Sequence, residues 1–211
     1  MKLPSINQLS SSAISSFLRF PATIVCAILA TAVGLYLSQK NIKLNGDLYL
    51  IRYLLSFAIG VPIFFAASIF SEKLVDLKSK IIVHGLAFAV LIFVFLSFPS
   101  HDYEQYIAQS YIKYSLYAVV AHLLVAFVPF TKKGFSNAFW NYNKSLFLRF
   151  FLSVLYSSFL YVGIVIAFTA LNILFDADIE DLVFFRWFII VVGVFNTWFF
   201  VAGIPKNLEA L

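Results

Sequence analysis

The sequence predicts an all-α fold: a polytopic membrane helix bundle with six transmembrane helices, forming a single integral membrane domain over residues 1–211. Composition is the first reason. The chain is 62% hydrophobic and only 12% charged, about half the charged share of a soluble globular domain. Order along the chain is the second reason, because the apolar residues form six long runs and Lys and Arg lie almost entirely between them. We therefore expect lipid around most of this surface.

The six apolar runs cover about residues 20–39, 50–70, 81–99, 114–130, 146–175 and 183–204. A helix needs ~20 apolar residues to cross ~30 Å of hydrocarbon, and each run is that long or close to it. A transmembrane barrel would need short segments of alternating polarity, whereas these runs are continuous. Backbone polar groups must be satisfied inside the bilayer, so we expect helices.

The segment before the first run has its own pattern. Ile6, Leu9, Ala13 and Phe17 recur at helical spacing, and Ser, Asn and Gln fill the opposite face. This pattern is typical of a short helix lying in the inner membrane interface, and a frayed, Ser-rich tail is the alternative. A cleaved signal peptide is disfavoured because the run after Arg19 is longer than the apolar region of a signal.

The basic residues predict the orientation. With the N-terminus inside, ten lie in cytoplasmic segments: Lys2, Arg19, Lys73, Lys78, Lys80, Lys132, Lys133, Lys144, Arg149 and Lys206. Five lie outside: Lys40, Lys43, Arg52, Lys113 and Arg186. Positively charged segments stay in the cytoplasm, so both termini are expected there. The net charge of +5 does not predict a nucleic-acid partner, because the basic residues flank apolar runs and form no patch.

Four polar residues inside the runs are the candidate functional positions: His84, His122, Arg149 and Asn196. Polar groups in a span are costly and often functional, and these could line an inner cavity for an anion or a lipid headgroup. Hydrogen bonding between helices, or snorkelling for Arg149, is the structural alternative. The sequence contains no catalytic, cofactor-binding or metal motif. Cys26, His84 and His122 come from three different runs, so their spacing does not support a metal site.

Local features modify the helices. Pro62 inside the second run predicts a kink. Small residues at helical spacing, Ala30 with Gly34 and Gly163 with Ala167, predict seats for neighbouring helices.

The first and fifth runs both open on Phe-Leu-Arg-Phe, at 17–20 and at 147–150. The second and sixth runs also end alike, at 64–69 and 199–204. Two related hairpins in the same orientation would form a parallel repeat, as in some transporters. Chance matches in a chain with 26 Phe residues are the alternative.

Four blocks carry a family resemblance: 18–21, 122–130, 143–151 and 194–205. In these blocks the chain resembles a family of bacterial multi-pass inner-membrane proteins, domain-of-unknown-function family 4153. The resemblance implies a bacterial inner-membrane protein without an assigned activity, so it transfers no catalytic residue. Members of that family are longer and continue with further helices after the last block. The resemblance therefore also implies the N-terminal half of such a protein, or a short variant.

Three functions remain open. A structural or interaction module is predicted first, because the runs require only packing and insertion; its partners would be the lipid bilayer and other membrane helices or subunits. A transport or lipid-flipping module is the alternative, favoured by the repeat, Pro62 and the intramembrane polar residues, although no run contains an acidic residue to couple ions. An intramembrane lipid-modifying enzyme comes last, because such chemistry needs an acid–base pair or a metal.

Overall fold

The computed structural model describes residues 6–39, 48–99, 103–130 and 136–205. Within these residues the secondary structure is helical and contains no strand. The helices are α1 (Ile6–Arg19), α2 (Pro21–Leu37), α3 (Ile51–Glu72), α4 (Leu77–Ser97), α5 (Tyr103–Phe127), α6 (Ser136–Phe175) and α7 (Asp181–Ala202). Short 3-10 turns precede α3, at Leu48–Leu50, and follow α5, at Val128–Phe130.

Five of these helices are long and apolar enough to cross a membrane: α3, α4, α5 with its 3-10 turn, α6 and α7. The helix α2 has 17 residues and qualifies only together with α1, from which it is bent by 102°. The predicted all-helical class is therefore confirmed for the described residues. Of the six predicted spans, five to six are long and apolar enough to cross a membrane.

The bend between α1 and α2 follows from Pro21 at the start of α2, where a missing N–H costs no helical bond. The segment before the bend is a helix rather than a frayed tail. It packs against the end of α7, where Trp198 Nε1 donates to the Ala13 carbonyl at 3.3 Å. The rings of Phe17 and Trp198 lie 6.1 Å apart.

The helix α3 lies at the centre of the bundle. It packs against α2, α4 and α5, and 67% of its most apolar 18-residue stretch is buried. One core cluster joins α2 to α4 and α5 through Cys26, Ile59 and Leu91, and the other joins α2 to α6 and α7 through Phe65 and Tyr142. A helix that is apolar all round suits this central position. It continues through Pro62 without interruption.

Glycines bring α7 close to α2. A Cβ on Gly34 would lie 3.2 Å from Ile189 Cγ2, and one on Gly193 would overlap Thr31 Oγ1. Small residues at such contacts let helix backbones approach. The predicted seat at Ala30 and Gly34 is thus a packed position. At Gly163, by contrast, a Cβ would meet no described atom within 4 Å.

The helix α7 is not uniform, because Val191–Asn196 adopts π-helical geometry between two α-helical parts. The helix α6 is a single unbroken helix of 40 residues, which is about 60 Å long at ~1.5 Å per residue. The Phe-Leu-Arg-Phe of 147–150 lies inside this helix, whereas that of 17–20 spans the 102° bend. The two copies therefore differ in backbone geometry, and the predicted repeat is not seen at this point.

Arg19 joins the ends of three helices. Its guanidinium contacts both carboxylate oxygens of Glu72, at 2.6 and 3.0 Å. It also donates to the carbonyls of Ile204 and Pro205, at 2.6 and 2.9 Å. The start of α2 and the ends of α3 and α7 therefore meet at one end of the bundle, as alternating spans require.

Candidate functional site: an interhelical cavity

A cavity of about 450 Å³ lies between α2, α3, α5, α6 and α7, and we call it the interhelical cavity. Small-molecule sites usually have volumes of ~300–1,000 Å³. Its wall is formed by Thr23, Val61, Pro62, Phe65, His122, Val125, Ala126, Asn143, Leu146, Phe147, Phe150, Ser153, Asn196, Thr197, Phe200 and Val201. Among the described residues, the wall is mostly apolar, contains six polar side chains, and has no Lys, Arg, Asp or Glu.

The cavity opens sideways, toward the surface that would face lipid. Two rim residues of α6 are more than half exposed, with 68% for Phe147 and 57% for Phe150. His122 on α5 is also exposed. The cavity is therefore accessible from the side of the helix bundle.

Thr23 has a buried hydroxyl without a hydrogen-bond partner among the described residues. The residue is 0% exposed and forms part of the cavity wall. An unpaired buried hydroxyl costs roughly 1–3 kcal/mol. Threonine occupies two side-chain rotamers in helices, so a rotation about χ1 can turn the hydroxyl toward a molecule in the cavity.

The bend at Phe20 removes one usual partner of Thr23. Threonine in a helix usually donates to the carbonyl four residues earlier, as Thr31 does to Ala27 at 2.8 Å. For Thr23 that carbonyl belongs to Arg19, which lies in α1 on the other side of the bend.

His122 is a wall residue whose ring is held by a backbone carbonyl of its own helix. Its Nδ1 lies 2.7 Å from the carbonyl oxygen of Ala118. A carbonyl can only accept, so we assign the proton to Nδ1. In the neutral ring Nε2 is then a hydrogen-bond acceptor.

Two amides complete the polar wall. Asn143 Nδ2 donates to the carbonyls of Phe139 and Ala126, at 2.9 and 3.4 Å, which leaves its Oδ1 as an acceptor. Asn196 is the last residue of the π-helical segment, and its Oδ1 accepts from Ser157 Oγ at 3.3 Å. Its Nδ2 keeps two donors. Single turns of π-helix are frequent at functional sites.

A second cavity of about 400 Å³ continues the groove between α6 and α7. It is lined by Val154, Ser157, Ser158, Tyr161, Val162, Phe188, Val191, Val192 and Asn196. The α6 residues of the interhelical cavity lie within 143–153, and those of the second cavity within 154–162. The two cavities therefore follow each other along α6, and Asn196 borders both.

The four predicted positions do not share one site. His122 and Asn196 line the interhelical cavity, whereas His84 and Arg149 do not. His84 Nδ1 contacts the carbonyl of Lys80 in its own helix at 3.0 Å. Arg149 lies against Gly203, where a Cβ would come within 2.7 Å of its Cδ. The expected anion site is not supported here, because the described wall residues include no Lys or Arg.

The sequence did not indicate Thr23 and Ser153 as wall residues. Serine and threonine are common in membrane helices, so their presence alone gave no signal. Pro21, two residues before Thr23, was the available signal, because it marks a helix start at which the usual carbonyl partner is missing. Among the described residues, no three His, Cys, Asp or Glu side chains lie close enough to hold a metal ion.

Compared with known family models, with curated proteins and with solved structures, the chain shows no match. The resemblance to family 4153 therefore stays a prediction.

Proposed function

We propose that this chain is an integral membrane module that binds an uncharged, hydroxyl-bearing lipid in the interhelical cavity. The observation that carries the proposal is the unpaired hydroxyl of Thr23 at the wall of a cavity that is open to the lipid side. Such a hydroxyl is costly in an empty protein and gains a hydrogen bond when a polar head enters.

The described residues of the cavity wall include no Lys, Arg, Asp or Glu, which supports an uncharged head. Phosphate and carboxylate groups are usually held by Arg or Lys, and a head with either group would lose its hydration here without a counter-charge. An ionised group in an apolar site pays a large desolvation penalty. The ligand class is therefore a neutral lipid.

The donors and acceptors of the wall support a head with hydroxyl groups. Asn196 Nδ2 offers donors, Asn143 Oδ1 offers an acceptor, and the Thr23 hydroxyl offers both. A hydroxyl donates and accepts at once, so a head with several hydroxyls matches this mixture. A monoglycosyl diacylglycerol is a lipid of this kind.

Photolabelling in proteoliposomes tests the proposal. The probes are a photoactivatable monoglucosyl diacylglycerol and a photoactivatable phosphatidylglycerol of equal chain length. We expect the glucosyl lipid to label the protein more strongly. Thr23→Val should lower its labelling about fivefold, the loss of one hydrogen bond. Thr169→Val, at an exposed position of α6 outside both cavities, is the matched control and should label like the wild type. Equal labelling by both lipids, or by wild type and Thr23→Val, would overturn the proposal.

We also propose that the protein resides in a bacterial inner membrane with both termini in the cytoplasm. The ten-to-five distribution of basic residues supports this orientation. In a Cys26→Ala background, Asp178→Cys should react with an impermeant maleimide on intact spheroplasts. Val75→Cys, which lies in the opposite loop and is fully exposed, should react only after lysis. The reverse pattern would contradict the orientation.

An interaction module is the second candidate function, and α6 favours it. In the most apolar 18-residue stretch of this helix, the described residues bury no side chain, and α6 packs mainly on α7. Another membrane helix or subunit could therefore pack along it. Native mass spectrometry from detergent would report such a complex, and a strictly monomeric protein in native membranes would contradict it.

A further inference from the structure

We infer that the interhelical cavity and the second cavity form one path, along which the polar head of the bound lipid crosses between the leaflets. The hydrogen bond between Ser157 and Asn196 is the gate of this path. The inference rests on the proposed lipid binding, and it adds an activity to it: passive flipping of an uncharged glycolipid.

The path covers most of the thickness of a bilayer. Asn143, Ser153, Ser157 and Tyr161 of α6 line the two cavities in order along the helix. Asn143 lies just before the predicted span, which begins at 146. From 146 to Tyr161 the helix rises about 22 Å at ~1.5 Å per residue, about three quarters of the ~30 Å of the hydrocarbon core. A head moving along this part of α6 meets polar side chains of both cavities.

The gate lies where the two cavities meet. Ser157 on α6 is 5% exposed, and its hydroxyl donates to Asn196 Oδ1 on α7 at 3.3 Å. This bond joins the helices across the groove. A sugar hydroxyl can take the place of either partner, so opening exchanges one hydrogen bond for another of similar strength. The π-helical turn that ends at Asn196 places the amide at this junction.

The acyl chains can stay in the bilayer while the head moves. The outward side of the groove is formed by Phe147, Phe150 and Val162, which are 68%, 57% and 51% exposed. Only the head then needs to enter the protein, and this fits the small volume of each cavity.

The movement is passive. Among the described residues, no acidic side chain lines either cavity, so these walls offer no carboxylate to couple flipping to a proton or cation gradient. The path should therefore equilibrate a lipid between leaflets in both directions rather than concentrate it in one.

The experiment uses proteoliposomes that contain monoglucosyl diacylglycerol with a fluorescent nitrobenzoxadiazole group on one acyl chain. Added dithionite bleaches only the outer leaflet, so later bleaching measures flipping. Wild-type protein should flip this lipid faster than protein-free vesicles, and faster than the matching phosphatidylglycerol. Ser157→Ala removes the gate bond and should raise the rate about fivefold. Asn196→Leu should lower it about tenfold or more, because the head loses its polar partner at the narrowest point.

Ser115→Ala is the matched control. The Ser115 hydroxyl donates to the Tyr111 carbonyl of its own helix at 2.9 Å and lies outside both cavities, so the substitution should leave the rate unchanged. Gel filtration of each variant checks folding. If Asn196→Leu does not fold, Ser157→Ala, which is the milder change, still tests the gate.

Photolabelling of the same vesicles separates the two proposals. Normal labelling with no flipping above protein-free vesicles overturns the path and leaves lipid binding intact. If the wild type shows neither labelling nor flipping, the proposed function itself fails. A Ser157→Ala rate equal to or below that of the wild type, with normal labelling, overturns the gate.

Discussion

Replacing Gly193 with alanine places a methyl group between α7 and α2. A Cβ at this position would overlap Thr31 Oγ1 and lie 3.2 Å from Thr31 Cβ. The threonine is not free to move aside, because it is buried and its hydroxyl donates to the Ala27 carbonyl at 2.8 Å. The added methyl must therefore push the helices apart or break that hydrogen bond.

The magnitude follows from two opposing effects. Overpacking of a well-packed contact costs typically about 1–3 kcal/mol. Alanine in place of glycine in a helix raises the free energy of unfolding by up to about 1 kcal/mol. We expect Gly193→Ala to lower the free energy of unfolding by about 1–2 kcal/mol. Gly85→Ala is the matched control, because a Cβ there meets no described atom within 4 Å. It should be neutral or stabilising by up to about 1 kcal/mol.

The assay is unfolding of the purified protein by titration of mild-detergent micelles with dodecyl sulfate, followed by far-ultraviolet circular dichroism. Gly193→Ala should unfold at a lower dodecyl sulfate fraction than Gly85→Ala. Adding Thr31→Ala to Gly193→Ala removes the overlapping oxygen and should recover most of the loss, a coupling expected only for residues in contact. Equal midpoints for the two single variants would refute the close packing of α7 on α2.

Three further predictions concern stability. Arg19→Met removes the bonds to Glu72 and to two carbonyls at the end of α7 and should lower the free energy of unfolding by about 2–4 kcal/mol in the same titration. Glu72→Gln should lower it by only about 1 kcal/mol. Equal losses of stability in the two variants would contradict the role of Arg19 in joining three helix ends. Thr23→Val removes an unpaired buried hydroxyl, so it should raise the free energy of unfolding of lipid-free protein by about 1 kcal/mol; a loss of stability would mean that the hydroxyl has a partner. The Ser79 backbone N–H, which donates to Asp76 at 3.0 Å, holds the pKa of that carboxyl below its ordinary value. The cap therefore stabilises the protein above the unfolded pKa of about 4, and its contribution is lost as the pH falls through the lower folded pKa. Asp76→Asn, which still caps, should flatten the acid dependence of thermal unfolding, and an unchanged dependence would contradict the role of the cap.

The helices could be predicted from the sequence because composition and order along the chain determine them. Where the structure describes it, each apolar run lies in a helix apart from a few residues at its ends. The length of α6 could not be predicted in this way. Its predicted span begins at 146, but the helix begins at Ser136, because polar residues at the interface continue a helix as readily as they end it.

The candidate site could be predicted only in part. Polarity identified His84 and His122 equally, yet only His122 lines the interhelical cavity. Spacing likewise identified Gly34 and Gly163 equally, yet only Gly34 meets another helix among the described residues. A sequence gives the chemistry of each position, whereas the neighbour across a helix contact depends on how helices pack. The role of Thr23 depends on both, because its missing partner results from the bend at Phe20.

The most direct test of lipid binding in the interhelical cavity is to map where the photoactivatable glucosyl lipid becomes attached, by mass spectrometry of the labelled protein. We expect adducts within 143–153 of α6 and around Asn196 of α7, and fewer of them with Thr23→Val or with excess unlabelled lipid. Adducts spread along the exposed apolar side of α4, unaffected by either treatment, would contradict lipid binding in the interhelical cavity.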